Sequence, residues 1–304
     1  MSKRVAVLYG GISAEREVSL SSGRGVIEAL RGAGFEVTPV LVGEDLAAVL
    51  DALDPRPDVV FNALHGRFGE DGTIQGVLDW LGIPYTHSGV RASALAMDKQ
   101  AAKSVFAGAG LPVARGRVVP IEDLEADDPI PLPYVIKPVS EGSSVGVEIL
   151  RDGDNRRSEI ARSWRFGRTA MVEEYIPGRE LTVGVMGDRA LAVTEIRAEA
   201  GAFYDYESKY ADGGSRHQIP AAIDPGIYAQ ALDVALAAHR ALGCRGASRA
   251  DFRFDDEAGR LVLLEVNTQP GLTPTSLLPE QAAYHGIGYP ELCAWMVENA
   301  ACRV

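Results

Sequence analysis

The sequence predicts an α/β fold that opens with a parallel sheet and continues into two regions of mixed α+β structure. Three observations carry that expectation. Strand-like and helix-like segments alternate through the first ~95 residues. Glycine or proline closes most of these segments. Beyond residue ~180 the pattern turns to paired strands with short turns. At 304 residues the chain is too long for one average domain, and the expected domains are 1–95, 96–180 and 181–304.

The elements follow in order. Val5 to Tyr9 is an apolar run that reads as a buried strand, ended by Gly10-Gly11. A helix from about Glu15 to Ala33 stops at Gly34, and Phe35 to Val42 is the second strand. Leu46 to Leu53 is a helix closed by Pro55 and Pro57. Val59 to Leu64 is the third strand, followed by a glycine-rich loop and a helix from Thr73 to Leu81. This is the βαβαβ order of an open parallel sheet. Next come a helix from Met97 to Ala109, strands Tyr134 to Lys137 and Val145 to Leu150, a helix Asn155 to Arg165 and a strand Ala170 to Ile176. The acidic, proline-rich stretch Glu122 to Pro133 reads as a surface connection. Gly187-Asp188 splits Leu181 to Met186 from Ala190 to Glu195, a hairpin signal. A long polar loop, a helix Tyr228 to Leu242, a second hairpin and a helix Tyr289 to Ala300 complete the reading.

Composition narrows the function classes. A hydrophobic content of 46% and a charged content of 24% are ordinary for a soluble globular protein. The net charge of −12, with both signs interspersed, disfavours a nucleic-acid surface. No stretch approaches the ~20 apolar residues of a membrane span. Cys244, Cys293 and Cys302 are scattered and odd in number, which fits a reducing cytoplasm and no disulfide framework. The apolar run after Lys3 and Arg4 is too short for a signal peptide.

The most informative segment is the second hairpin, Arg249 to Phe254 and Leu261 to Asn267, joined by Asp255 to Gly259. Side chains alternate along a strand, so Arg249, Asp251 and Arg253 share one face, and Glu265 and Asn267, two residues apart, also share a face. Folding about the turn brings Asp251 close to Glu265. Two neighbouring carboxylates repel unless a cation sits between them. Carboxylate and amide oxygens, with room for phosphate and water, suit Mg²⁺; a solvated polar face is the plainer alternative. Thr268 to Ser276, rich in glycine, proline and hydroxyls, reads as a substrate loop.

Other segments are weaker alone. No GxxxxGK[ST] occurs, Gly10-Gly11 lacks dinucleotide spacing, and no acidic residue ends the second strand, so neither a P-loop nor a nicotinamide site is expected. Lys137 ends a strand before the loop Ser140-Glu141-Gly142-Ser143-Ser144, whose backbone N–H groups suit phosphate oxygens; a plain turn fits equally. Lys99 is a second cation candidate, or simply a solvated helix lysine. The linker Glu173 to Glu180 could cover an adenine or be an acidic loop. Glu15 could cap its helix or receive an ammonium. His65 and Arg67 sit among three glycines at the same sheet edge, more than a turn needs. Ala202 to Gly214 carries three tyrosines without a helical or strand period, the mark of an active-site lid.

Taken in order, the segments Gly10 to Ser19, Leu64 to Gly72, Met97 to Lys99, Glu141 to Gly146, Phe203 to Tyr210 and Glu265 to Gly271 resemble the ATP-grasp superfamily and, within it, the D-alanine–D-alanine ligase family. Each is weak alone, but the ordered set is specific and spans nearly the whole chain. The resemblance implies a three-domain ATP-grasp fold: a Rossmann-like sheet domain, then two α+β domains clamping ATP. It implies phosphorylation of one D-alanine's carboxylate and attack by a second D-alanine's amine, giving a dipeptide for peptidoglycan. By resemblance, Glu15 holds the first substrate's ammonium, with His65 near it. Lys99 and Lys137 hold ATP phosphates, with Ser143, Ser144 and Lys209 beside them. Glu173, Glu174, Ile176 and Glu180 meet adenine and ribose. Asp251, Glu265 and Asn267 bind two Mg²⁺, with Mn²⁺ able to substitute. Arg249 and the Gly271 N–H stabilise the oxyanion. Ser276 and Leu277 hold the second carboxylate, while Ser143 and Tyr210 link two lids. A homodimer and a cytoplasmic location follow by family analogy. Gln269 and Thr275 depart from the Ser and His of some relatives. Two other readings stand beside this one: a related ligase with D-lactate or D-serine as acceptor, and a nucleotide-binding regulator that has lost catalysis.

Overall fold

The computed structural model describes residues 2–142, 145–198, 215–273 and 275–303. Ser143, Ser144, Lys209 and Tyr210 therefore lie outside the described residues, as does the tyrosine-rich segment.

The chain is α/β, with one parallel and two antiparallel sheets. In the first, β1 (Arg4–Gly10) lies between β2 (Glu36–Val42) and β3 (Val59–Asn62), all parallel. α1 (Arg16–Gly32), α2 (Leu46–Ala52) and α3 (Thr73–Leu81) connect and follow these strands. β1 and β3 are apolar nearly throughout because both sheet faces are covered. β2 is an open edge and largely exposed, whereas β3, at the other end of the sheet, is buried and carries a further bridge from Val60 to Tyr85.

The helix expected from Met97 to Ala109 is α5 (Lys99–Gly108), and a helix not expected from the sequence, α4 (Val90–Met97), precedes it. Asp98 adopts extended angles between them, and its Oδ1 accepts from Ala101 N at 2.9 Å, an N-cap that restarts the helix. The cap leaves Lys99 as the first residue of α5. The second sheet, in order β4-β7-β5-β6, contains β4 (Gly116–Pro120), β5 (Tyr134–Lys137), β6 (Glu148–Leu150) and β7 (Thr169–Glu174). α6 (Asp123–Ala126), inside the stretch expected to be a connection, and α7 (Arg157–Ser163) pack on it around Tyr134, Ile136 and Val172.

The third sheet runs β10-β9-β8-β11-β12. Its strands are β8 (Arg179–Met186), β9 (Arg189–Ala198), β10 (Ser215–Gln218), β11 (Ala247–Asp255) and β12 (Arg260–Asn267). α8 (Pro225–Leu242) covers one face, and α9 (Leu277–Tyr284) and α10 (Tyr289–Glu298) follow.

Packing does not follow the expected consecutive units. One core joins Val5, Val7 and Phe61 to Leu292, Met296 and Val297, so α10 completes the first sheet. Another joins Ala102 and Phe106 of α5 to Phe252 and Leu263 of the third sheet. The physical reason is that α5 and α10 each need an apolar face to bury, worth about 1.5–3 kcal/mol per large side chain, and the sheet that accepts it is distant in sequence. Residues from about 116 to 174 form a core of their own, as does the other face of the first sheet around Leu8, Val60 and Leu78.

Candidate active site

At the carboxyl edge of the first sheet, Gly10 and Gly11 turn the chain with φ of 93° and 80°. The turn delivers Ser13 and Glu15 to the start of α1. Glu15 occupies the N-cap position but makes no side-chain cap bond, so capping does not explain it. Ser13 Oγ donates to His65 O at 2.7 Å and accepts from Glu15 N at 3.2 Å, tying the two loops together. Gly66 has φ of 69°, and a Cβ there would lie 2.8 Å from Glu15 Oε2; the glycine is what lets the carboxylate approach. A Cβ on Gly142, of the loop after β5, would stand 3.5 Å from the same oxygen.

His65 is buried, with Nε2 3.4 Å from Ser22 Oγ. Burial, helped by the Arg249 charge, draws its imidazole down to about 4, so it is neutral at pH 7. Glu70 was not singled out from the sequence. Its Oε1 accepts from Gly66 N at 3.0 Å, and burial, then the Glu15 charge, push it up to about 8. Gln269, expected only as a departure, ties the substrate loop to the first sheet: its Oε1 accepts from Asn62 Nδ2 at 2.9 Å and its Nε2 donates to Leu64 O. No local pattern signals that contact across 207 positions.

The hairpin supplies the opposite wall. Asp251 pairs with Glu265 and Arg249 with Asn267 in register, as the alternation requires. The register then shifts so that Phe252 meets Leu263, leaving Leu264 as a bulge residue at the cleft. Arg249 forks onto Asp251 with bonds of 2.8 and 2.6 Å, and Thr182 Oγ1 donates to Asp251 Oδ1 at 2.6 Å. Asn267 Oδ1 accepts from Gln269 N at 2.8 Å. Lys99 Nζ lies 3.6 Å from Glu265 Oε2, donates to Glu141 O, and is brought there by Lys99 N bonding Val139 O at 3.0 Å.

Among the described residues no group of three or more His, Cys, Asp or Glu is arranged to hold a metal. The hairpin instead offers two carboxylates and one amide oxygen, a hard-donor set that fits Mg²⁺ when phosphate and water complete the shell.

Between hairpin and second sheet lies an open cleft of about 910 Å³, lined by Lys99, Lys137, Glu141, Glu173, Glu174, Ile176, Glu180, Asp251, Leu264 and Glu265. Arg253 fixes the linker at its rim, donating to Ile176 O at 3.1 Å and Gly178 O at 2.7 Å, and lies 3.8 Å from Glu180 Oε2. Ile176 packs on Ala114 and Val262. Glu174 accepts from Arg115 N at 2.7 Å and pairs with Arg260, which holds its carboxyl below the usual range. Glu173 is buried, with Lys103 on one oxygen and Lys137 on the other. Burial raises the Glu173 carboxyl, but the two ammoniums outweigh it and the net shift is downward. For Lys103 burial is the larger effect and lowers it, because one shared carboxylate does not offset the lost hydration.

In the loop after β12, Ser276 Oγ lies 2.7 Å from Thr273 Oγ1 and accepts from Thr273 N at 3.1 Å. A Cβ on Gly271 would stand 3.2 Å from Ser276 Oγ, so the loop is compact around that hydroxyl. Leu277 packs against Ile196.

Comparison with known proteins bears on the whole chain. The family model described as D-ala D-ala ligase C-terminus matches residues 107–298, and that described as D-ala D-ala ligase N-terminus matches 4–52 and 44–88. The chain is 73% identical to the D-alanine–D-alanine ligase of Acidiphilium cryptum, over 99% of this chain and 100% of that protein. It is 71% identical to that of Granulibacter bethesdensis, over 99% of both. The crystal structure of D-alanine–D-alanine ligase from Bacillus anthracis complexed with ATP superposes with a TM-score of 0.82 at 29% identity, covering 98% of this chain and 97% of that one. A second structure of the Bacillus anthracis ligase gives 0.84 at 32% identity, with the same coverage.

Proposed function

The chain belongs to the D-alanine–D-alanine ligase family, and from that premise we propose that it joins two D-alanines into D-alanyl-D-alanine at the expense of ATP, for peptidoglycan precursor synthesis. The observation that carries the reading is the in-register pair Asp251 and Glu265 on the wall of a cleft that Lys99 and Lys137 also line.

In this reading ATP lies in the cleft, its base against Ile176 and the linker beside Glu173 and Glu174, its ribose toward Glu180, its phosphates toward Lys99, Lys137 and the loop of Ser143 and Ser144, with Lys209 completing that end. Asp251, Glu265 and Asn267 would hold two Mg²⁺, or Mn²⁺ in their place, whose charge would neutralise that of the phosphates. Glu15 receives the ammonium of the first D-alanine, and neutral His65 stands beside it without competing for the charge. A carboxylate is a poor electrophile, and taking the γ-phosphoryl group makes it an acyl phosphate with phosphate as leaving group. Ser276 and Leu277 orient the second D-alanine so that its amine attacks that carbonyl. Arg249 and the Gly271 N–H face the oxygen on which negative charge develops. Ser143 and Tyr210 brace the closed site against water, which would hydrolyse the intermediate. The enzyme works in the cytoplasm as a homodimer.

Incubation with ATP, Mg²⁺ and D-alanine, with products resolved by mass, tests the assignment. The dipeptide, ADP and phosphate are expected in equal amounts, and L-alanine is expected to support no ADP release. A depsipeptide from added D-lactate in preference to the dipeptide, or ADP release with either enantiomer, would overturn it.

A further inference from the structure

Lys103 has no part in the reading above, yet it is tied to the ATP cleft. It lies one turn beyond Lys99 on α5, so both lysines share a helix face. Lys103 Nζ meets Glu173 Oε1 and Lys137 Nζ meets Glu173 Oε2, with side-chain exposures of 16%, 7% and 11% for Lys103, Glu173 and Lys137. Glu173 and Lys137 line the cleft, and Lys103 is tied to it through Glu173.

The charge count decides what this arrangement can do. A lysine locked against one buried carboxylate forms a neutral pair, and its pull on a phosphate is largely cancelled. Two ammoniums sharing that carboxylate leave one net positive charge. Lys103 engages one oxygen of the carboxylate and Lys137 the other. Lys137 can then turn its ammonium to an incoming phosphate without leaving Glu173 as an uncompensated buried charge, which would be strongly unfavourable. We infer that Lys103 is a positioning residue for nucleotide phosphate, holding Glu173 so that the charge of Lys137 acts on ATP. The inference rests on the proposed contact of Lys137 with phosphate.

The test compares adenosine, ADP and ATP binding, each by displacement of a fluorescent ATP analogue, in wild type, Lys103→Met, Lys103→Gln, Lys103→Arg and Lys137→Met. Lys103→Met is expected to weaken ADP and ATP about tenfold, the order set by one unit charge several ångströms away in a partly screened cleft, and to leave adenosine within about twofold. In turnover the KM for ATP rises with little change in kcat. Lys103→Arg retains binding, and Lys103→Gln, which keeps a hydrogen bond to Glu173 and guards against a folding failure of the Met variant, behaves like Lys103→Met. Unchanged ADP and ATP affinity in Lys103→Met, with Lys137→Met impaired, would overturn the role of Lys103 while sparing the phosphate reading. Equal losses for adenosine and ADP would reduce Lys103 to packing. Unchanged ADP binding in Lys137→Met would remove the phosphate reading and this inference together.

Discussion

The first and third sheets place chemistry in opposite ways. The parallel sheet keeps its strands apolar and presents Glu15 and His65 from loops at the strand ends. The antiparallel sheet carries Arg249, Asp251, Glu265 and Asn267 within its strands. Loop-borne groups depend on tight turns and on glycines that allow close approach. Strand-borne groups depend on register, which the hydrophobic face of the same strands enforces. The two walls should therefore break under different substitutions.

The largest expected effect is at the hairpin. Glu265→Gln is expected to cost several kcal/mol of transition-state stabilisation, a loss of about 10³-fold or more in kcat, because it removes one of two paired carboxylates at the proposed metal site. Steady-state ADP release together with a circular dichroism spectrum checks it; a folded variant with wild-type turnover would exclude Glu265 as a ligand.

At the loop wall, Gly66→Ala is expected to raise the KM for D-alanine by about 10- to 100-fold. It adds left-handed backbone strain and sets a methyl against the Glu15 carboxylate. The KM for ATP should hardly move. Parallel increases in both constants would mean that the two walls are not separable in this way.

Acid is expected to weaken both walls at once. His65, His87 and His239 are buried neutral, with burial drawing them to about 4, 3 and 4 from 6.5. The unfolded chain therefore binds more protons between these values and 6.5. Stability is fully present above about pH 6.5 and falls as pH drops through 6.5 toward 4, by on the order of 1–2 kcal/mol per histidine at pH 5. Thermal melts at pH 8, 6.5 and 5 measure it, and a melting temperature unchanged to pH 5 would contradict the buried neutral state.

The smallest expected effect is at the Lys3–Glu298 pair on the surface that joins α10 to the first sheet. Lys3→Met should change stability by less than about 1 kcal/mol, since both side chains are about half exposed. A larger loss in a urea titration would locate the sheet–helix attachment in charge rather than in the apolar contacts of Leu292 and Met296.

The hairpin was legible in the sequence for the reason that makes it robust. A period of two and a short turn determine which residues meet, so Asp251 and Glu265 could be placed together from spacing alone. The edge position of Glu15 and His65 was legible from strand–loop–helix order. Tertiary contacts were not. Lys103 meets Glu173 across 70 positions and Gln269 meets Leu64 across 205. Neither residue type announces such a partner. The start of α5 near Met97 was legible, but α4, which ends at Met97 just before the extended Asp98 cap, was not. The expected domain limits treated neighbours in sequence as neighbours in space, which α5 and α10 are not.

The seating of α10 on the first sheet has a consequence for how the molecule is made. Val5 and Phe61 are among the earliest apolar residues of the chain, yet Leu292 and Met296 complete their cover. Until the chain has been extended to that point, a parallel sheet emerging from the ribosome has α1 on that face but keeps the part that α10 covers wet and open to wrong partners. Closing it demands a contact of very high sequence separation, the kind that slows folding and exposes intermediates to aggregation. The segment from 116 to 174, whose core is its own, is free of that wait and can fold while the first sheet is still open.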